Sequence, residues 1–122
     1  MNRVRTLLEI ARSDLSFSLQ KGLWVGRCLI CNGPIAFDPH TGQGATIEHI
    51  RARSRGGTDD LRNLAIVHER CNTEKGRRWD PKRHRDPERY EALVARLLDR
   101  RLSRFLDPGA DQRPPGPQPR RA

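Results

Sequence analysis

Side chains that can bind metal ions or move protons are concentrated between Cys28 and Lys75. The pair Cys28-Leu-Ile-Cys31 is followed, after an interval of about forty residues, by His68-Glu-Arg-Cys71. Two residues separate the ligands of each pair, a spacing that lets both ligands turn to one ion. Three thiols and one imidazole suit a tetrahedral zinc ion. We therefore expect a structural zinc, since four protein ligands leave no open coordination position.

A second group of side chains, between and beside the two pairs, offers oxygen and nitrogen instead of sulfur. The imidazole of His49 can take a proton from water at physiological pH. Glu48 and the amide oxygen of Asn72 are hard donors suited to Mg²⁺ or a similar divalent ion such as Mn²⁺. Asn63 precedes an apolar strand and could fix the loop around His49. These residues favour phosphodiester hydrolysis, with His49, Asn63 and Glu48 as candidate catalytic residues and Glu48 and Asn72 as ligands of the catalytic ion.

The charge of the chain indicates its class of partner. A formal net charge of +9 and a pI near 10.9 favour a polyanion, either nucleic acid or an anionic membrane surface. No apolar run approaches the roughly 20 residues that a membrane span needs, and no export signal is recognisable. We expect a cytoplasmic protein that binds DNA; the sequence leaves RNA and the oligomeric state open. An odd count of three cysteines without an export signal disfavours disulfides.

Basic residues next to the candidate site are the expected contacts to a nucleic-acid backbone. Three of them alternate along the chain, so an extended loop would present them on one side. Others follow in and after the next helix. The candidates are Arg51, Arg53, Arg55, Lys75, Arg77 and Arg78.

The elements that must position these groups are short. Thr46–His49 and Leu64–Val67 read as two strands, and residues 69–75 read as a helix that Gly76 ends in the C′ position. Strand, basic loop, strand and helix form a compact β-β-α unit. Residues 35–37 and 23–25 add further extended segments.

Helices flank this unit on both sides. The helical spacing of Val4, Leu7, Leu8, Ala11 and Leu15 predicts one apolar face. Asp86-Pro87-Glu88 starts a second helix, whose expected apolar stripe is Tyr90, Leu93, Val94, Leu97, Leu98 and Leu102. We divide the chain into an N-terminal helical segment (1–22), the core with its cysteine knuckle (23–80), a basic linker with the C-terminal helix (81–106), and a Pro/Arg-rich tail (107–122). The tail is too polar to pack and we expect it to be disordered.

The segment from Cys28 to Gly76 resembles the HNH endonuclease family. The likeness rests on Cys-x-x-Cys, Glu-His-Ile, Arg-Ser-Arg-Gly-Gly-Thr-Asp-Asp-Leu-Arg-Asn-Leu and His-x-x-Cys-Asn-x-x-Lys-Gly in this order. It implies an α+β fold with a small ββα-metal finger and a zinc knuckle, flanked by the two helices.

The resemblance also implies roles for single residues. His49 would be the general base for water, Asn63 would hold the loop and orient that base, and Asn72 would complete the metal site. Glu48 stands where the family most often has Asp, and its extra methylene alters the reach to a metal. His68 stands at a position that is more commonly Cys, which makes the zinc site less rich in thiolate.

Two other functions explain part of the sequence. A zinc-stabilised nucleic-acid-binding module that does not cut would share the scaffold, but it has no need of a base beside a metal ligand. A zinc-dependent interaction adaptor would explain the cysteines but neither the base nor the positive charge. The sequence favours a metal-dependent endonuclease over both.

Overall fold

The computed structural model of the protein describes residues 2–78 and 86–107. The helices are α1 (Arg3–Arg12), α2 (Glu69–Arg78) and α3 (Pro87–Arg104). The strands are β1 (Ser18–Gln20), β2 (Leu23–Arg27), β3 (Pro34–Phe37), β4 (Thr46–His49) and β5 (Leu64–Val67). Helices combined with small antiparallel sheets confirm the predicted α+β class.

The β-β-α unit forms from β4, β5 and α2 as the sequence predicts. Antiparallel pairing aligns His49 with Leu64 at the loop end of the hairpin and Thr46 with Val67 at the other end. All four residues of β5 are buried, as its wholly apolar sequence requires. The chain passes from β5 into α2 through His68 alone, and α2 packs against β4.

A second antiparallel sheet, in the order β1-β2-β3, carries the cysteine knuckle at the turn from β2 to β3. The β1 strand is an addition to the predicted elements. The predicted apolar face of α1 extended to Leu15, but the helix ends at Arg12 and Leu15 is 51% exposed. The chain turns after Ser13, whose hydroxyl and amide both bond to Ile10 O, so the helical spacing does not continue to Leu15.

The end predicted for α2 at Gly76 is wrong, because the helix continues through this residue to Arg78. A glycine ends a helix when it adopts the left-handed conformation, and Gly76 does not do so. Open space surrounds the position where a Cβ would be, so close packing does not explain the glycine either.

The core is a single cluster of apolar side chains drawn from all three helices and both sheets. In α3 the buried positions are Tyr90, Val94, Leu97 and Arg101. The predicted stripe placed Leu102 in the core, but Leu102 is 50% exposed and the neighbouring Arg101 is fully buried. The guanidinium is tolerated there because it donates to Leu64 O, Ser13 O, Ser13 Oγ and Leu61 O at 2.7–3.0 Å.

Burial lowers the pKa of Arg101 to about 10, so the side chain still carries its charge at neutral pH. The predicted basic linker at 81–85 and the tail from residue 108 lie outside the described residues. Within the described ranges, no helix combines the length and apolar character that crossing a membrane requires.

Candidate functional site

The two Cys/His pairs meet in space and form one cluster. Cys28 and Cys31 lie in the turn after β2, while His68 and Cys71 lie at the start of α2. One ligand atom from each of the four residues lies within 4.8 Å of the other three. The turn is closed by Cys28 N donating to Gly33 O at 2.8 Å and by Asn32, whose φ of 62° is left-handed. We call these four residues the Cys-His cluster.

The surroundings of the Cys-His cluster orient its ligand atoms. The ring nitrogen Nε2 of His68 donates to Pro34 O at 2.9 Å, so the lone pair of the neutral ring is on Nδ1. That Nδ1 lies 3.4 Å from the sulfur of Cys31 and 3.7 Å from the sulfur of Cys71. Outer hydrogen bonds of this kind set the tautomer of metal-binding histidines. The donor set and its orientation fit a tetrahedral zinc ion.

The thiols of the cluster differ in how easily they lose a proton. A hydrogen bond from Gly33 N lowers the pKa of Cys31 to about 7. Burial, with repulsion from Cys28, raises the pKa of Cys71 to about 11. Cys28 is fully buried and its sulfur accepts from His68 N at 3.5 Å. Metal binding requires thiolates, so a cation at this position would have to supply the charge that holds Cys71 ionised.

Glu48 and His49 are adjacent on β4, and their side chains engage different partners. The carboxylate of Glu48 lies 3.4 Å from the ammonium of Lys75 on α2. Both side chains are largely covered, with 15% of Glu48 and 9% of Lys75 exposed. Burial raises the pKa of Glu48, and the charge of Lys75 opposes this effect. The ammonium also donates to His49 O at 3.3 Å and Ile50 O at 3.2 Å.

The imidazole of His49 faces the loop between β4 and β5. Its Nε2 lies 2.7 Å from a carboxylate oxygen of Asp59. Arg53 binds the same carboxylate through Nε at 3.1 Å and through a shorter contact from Nη2. His49 keeps 22% of its side chain exposed, so water and a substrate can reach the ring.

Asn63 holds this loop together from its buried position at the start of β5. Its side-chain oxygen accepts from Arg51 N at 2.8 Å, and its side-chain nitrogen donates to Arg51 O at 3.1 Å and Thr58 O at 2.7 Å. Gly57 makes this closure possible, since a Cβ at this position would lie 1.8 Å from Arg51 O. One amide side chain thus ties Arg51 at the start of the loop to Thr58, the residue before Asp59.

Asn72 lies on the first turns of α2, three residues before Lys75. Residues three apart share one face of a helix, and Lys75 reaches β4 from that face. Asn72 is half-buried and its backbone N–H donates to His68 O at 3.0 Å. Asn72 therefore shares a face of α2 with Lys75, whose ammonium reaches β4.

The expected row of loop arginines does not form. Arg53–Arg55 is a short 3₁₀ turn instead of an extended segment, so the alternation does not place Arg51, Arg53 and Arg55 on one side. Arg51 forms a two-pronged ion pair with Glu91 at 2.8 and 2.6 Å, and Arg55 stacks over the Tyr90 ring at 4.1 Å.

The expected contacts from α2 divide into two kinds. Lys75, expected to face a nucleic-acid backbone, instead turns its amine inward to β4. Arg77 and Arg78 are exposed at the last turn of the helix, as a backbone contact requires.

Sequence reasoning missed several residues that hold the site in place. Asp59 is one of two adjacent acids in the motif, and nothing in its spacing indicates His49 as its partner. The hydroxyl oxygen of Tyr90 on α3 accepts from Ala52 N of the loop at 3.0 Å. Arg100 of α3 donates to Leu29 O and Ile30 O of the knuckle turn at 2.6 and 2.9 Å. The contacts of Tyr90 and Arg100 join residues 38–71 positions apart, and no local pattern signals them.

Comparison with known families gives a match for part of the chain. Residues 28–78 match the model of the HNH endonuclease family. The match covers the Cys-His cluster, the β4–β5 hairpin with its loop, and α2. No curated protein and no solved structure matches the chain.

Proposed function

Because residues 28–78 carry an HNH endonuclease domain, we propose that this protein is a divalent-metal-dependent endonuclease that hydrolyses DNA phosphodiester bonds. The observation that carries the proposal is the clamped loop around His49. Asn63 closes the loop with three hydrogen bonds, and the loop holds a partially exposed imidazole at the end of a buried hairpin. A fixed, accessible base beside a carboxylate is what hydrolysis of a phosphodiester needs.

His49 is the proposed general base. Its Nε2 faces Asp59, which leaves Nδ1 as the nitrogen able to take a proton from water. A positioned base of this kind contributes about 10²–10⁴-fold to a rate. Asn63 acts through the loop as a positioning residue.

Glu48 and Asn72 are the proposed ligands of the catalytic ion. The residues fit a hard cation, because a carboxylate and an amide oxygen are the donors that Mg²⁺ or Mn²⁺ prefers. The ion when bound would act as a Lewis acid at the leaving oxygen. Lys75 holds the Glu48 carboxylate against α2 and favours its ionised form.

The Cys-His cluster is proposed to bind zinc that stabilises the fold. All four positions are protein side chains, so the cluster has no vacant position for a substrate. It joins the turn after β2 to the start of α2 and thereby fixes the helix that carries Asn72 and Lys75.

DNA binding is proposed to use the exposed arginines of the last turn of α2, Arg77 and Arg78, with contributions from Arg51, Arg53 and Arg55 of the loop. The net charge of +9 supports a polyanionic substrate. Arg53 and Arg51 already pair with Asp59 and Glu91, so a phosphate would compete with these carboxylates.

The test is cleavage of supercoiled plasmid by the purified zinc-loaded protein. Mg²⁺ or Mn²⁺ is added to one set of reactions and omitted from another. Zinc content is measured in both sets, so that loss of the structural zinc is not mistaken for absence of the catalytic ion. We expect nicked or linear product only with the added ion. A labelled RNA of the same sequence, incubated in parallel, reports whether the substrate class is restricted to DNA.

One observation favours a second function, a zinc-stabilised module that binds nucleic acid without cutting. The ammonium of Lys75 already neutralises Glu48, where the catalytic ion would bind. If the zinc-loaded protein binds duplex DNA but leaves plasmid intact with every divalent ion tried, this function replaces the endonuclease.

A further inference from the structure

We propose that Asp59 is the positioning residue of His49, holding the imidazole in one orientation and one tautomer so that Nδ1 is the nitrogen that faces water. This inference rests on the proposed role of His49 as general base. It assigns a function to an acid that lies between the motif residues and that the sequence pattern does not distinguish from its neighbour Asp60.

The distance between the two groups sets the tautomer. Asp59 Oδ1 lies 2.7 Å from His49 Nε2, within the range of a strong hydrogen bond. An ionised carboxylate only accepts, so Nε2 must carry the hydrogen. In a neutral imidazole the other nitrogen then holds the lone pair, and only Nδ1 can accept a proton from water.

Asp59 remains ionised in this position. Hydrogen bonds from His49 and Arg53 hold the pKa of Asp59 below its ordinary value. Arg53 donates to both carboxylate oxygens, from Nε to Oδ1 at 3.1 Å and from Nη2 to Oδ2, and so holds the carboxylate with Oδ1 toward the imidazole.

The backbone on either side of Asp59 is also held. Thr58 O accepts from the side chain of Asn63 at 2.7 Å. On the other side, Asp60 Oδ1 accepts from Arg62 N at 2.8 Å and starts the turn that leads to Asn63. Asn63 therefore acts on His49 through Thr58 and Asp59, which gives a physical route from the clamp to the base.

Asp60 offers a matched control for Asp59. It is the adjacent residue in the same loop, it is exposed to a similar extent, and its carboxylate pairs with Arg62 instead of His49. A serine at position 60 can still accept from Arg62 N, because serine is a good capping residue. A serine at position 59 is too short to replace the carboxylate at His49, and both substitutions remove one negative charge.

The first measurement is steady-state cleavage by Asp59→Ser and Asp60→Ser, both loaded with zinc. We expect kcat of Asp59→Ser to fall about 10–100-fold, the usual cost of losing an orienting partner. Its KM should not rise, because removing an acid does not weaken attraction to a polyanion. Asp60→Ser should keep kcat, and Asp59→Asn should recover part of the loss because its amide oxygen can still accept from Nε2. Equal loss in both serine variants, or a loss that appears only in KM, would overturn the proposal.

The second measurement does not depend on cleavage. Long-range ¹H–¹⁵N spectra of protein labelled at histidine report the tautomer of each ring, and the His49 signals are those that disappear in His49→Gln. At about pH 8, above the ordinary histidine pKa of about 6.5, we expect the Nε2–H form in the wild type and a mixture of tautomers in Asp59→Ser.

The two measurements separate the two proposals. An unchanged His49 tautomer in Asp59→Ser contradicts the role of Asp59, whether or not the protein cuts DNA. Absence of cleavage in the wild type with a clear shift of tautomer in the variant contradicts the endonuclease and leaves the Asp59–His49 interaction established.

Discussion

The hairpin of β4 and β5 has a candidate metal site at each end, and the two sites are built in opposite ways. The Cys-His cluster lies beside the Val67 end and offers three sulfurs and one nitrogen. The candidate catalytic site lies at the His49 end, about three residue steps or roughly 10 Å along the strands. It offers oxygen donors and an imidazole that is partly exposed.

This difference shows how a small domain can use one site to stabilise the fold and another to carry out chemistry. The Cys-His cluster has four protein donors facing one another and outer hydrogen bonds to its ligands, so it can hold an ion but not a substrate. The other end has few donors and is surrounded by charged side chains that pair with each other across a loop. Substitutions in the Cys-His cluster should therefore unfold the protein, whereas substitutions at the His49 end should remove activity and leave the fold intact.

The largest effect should follow from Cys31→Ala. Structural zinc in small domains supplies about 10–16 kcal/mol of apparent binding energy, more than the usual net stability of a domain. We expect the variant to lose stoichiometric zinc and its folded circular-dichroism spectrum. The control is His68→Cys, which keeps four ligands and should retain zinc. If Cys31→Ala stays folded and active without zinc, the Cys-His cluster does not stabilise the fold.

The next effect should follow from His49→Ala, at the other end of the hairpin. We expect cleavage to fall about 10²–10⁴-fold because the base for water is lost. Zinc content, thermal midpoint and affinity for duplex DNA should stay near those of the wild type, since His49 is not one of the four cluster ligands.

The control for this variant is His40→Ala, which changes an exposed histidine in the loop after β3. It should cut plasmid at the rate of the wild type. Cleavage by His49→Ala at that same rate would show that His49 is not the base and would favour the binding module.

A smaller effect is expected from Arg101→Met, which tests how the buried guanidinium supports the backbone around Asn63. The guanidinium satisfies Leu61 O and Leu64 O on either side of Asn63, and each buried acceptor left unpaired costs about 1–3 kcal/mol. We expect a loss of roughly 3 kcal/mol in the free energy of unfolding by urea, measured on zinc-loaded protein. Arg96→Met changes an exposed arginine of the same helix and should stay within about 0.5 kcal/mol.

The smallest effect should come from the exposed end of α2. In a His49→Ala background that prevents cutting, Arg77→Ala or Arg78→Ala should make the salt dependence of DNA affinity shallower by about one unit of log–log slope per lost phosphate contact. Arg5→Ala on α1 is the matched control and should leave the slope unchanged. An unchanged slope in the α2 variants would place the DNA on another surface.

Much of the fold could be predicted because its information is local. A short β-branched run placed β4, a wholly apolar run placed β5, and helical spacing placed the buried residues Leu7, Ala11, Tyr90 and Leu97. The spacing of Cys28, Cys31, His68 and Cys71 was enough to predict that these four meet, because two pairs of sulfur and nitrogen ligands suit one tetrahedral ion. Local patterns failed at three positions. The chain turned before Leu15, and α2 continued through Gly76. In α3, Arg101 is buried and Leu102 is exposed.

By itself the sequence determined which groups are present and which secondary structures carry them. Only the tertiary structure decided which partner each charged group takes. Asp59 and Asp60 are identical neighbours, yet one binds His49 and the other Arg62. The ammonium of Lys75 points inward because His49 O and Ile50 O lie within its reach. The guanidinium of Arg101 can be buried because Leu64 O and Ser13 O accept its hydrogen bonds. Residue types specify what a side chain can bind, but the folded backbone decides which acceptors are within reach, and here that decision shapes the candidate site.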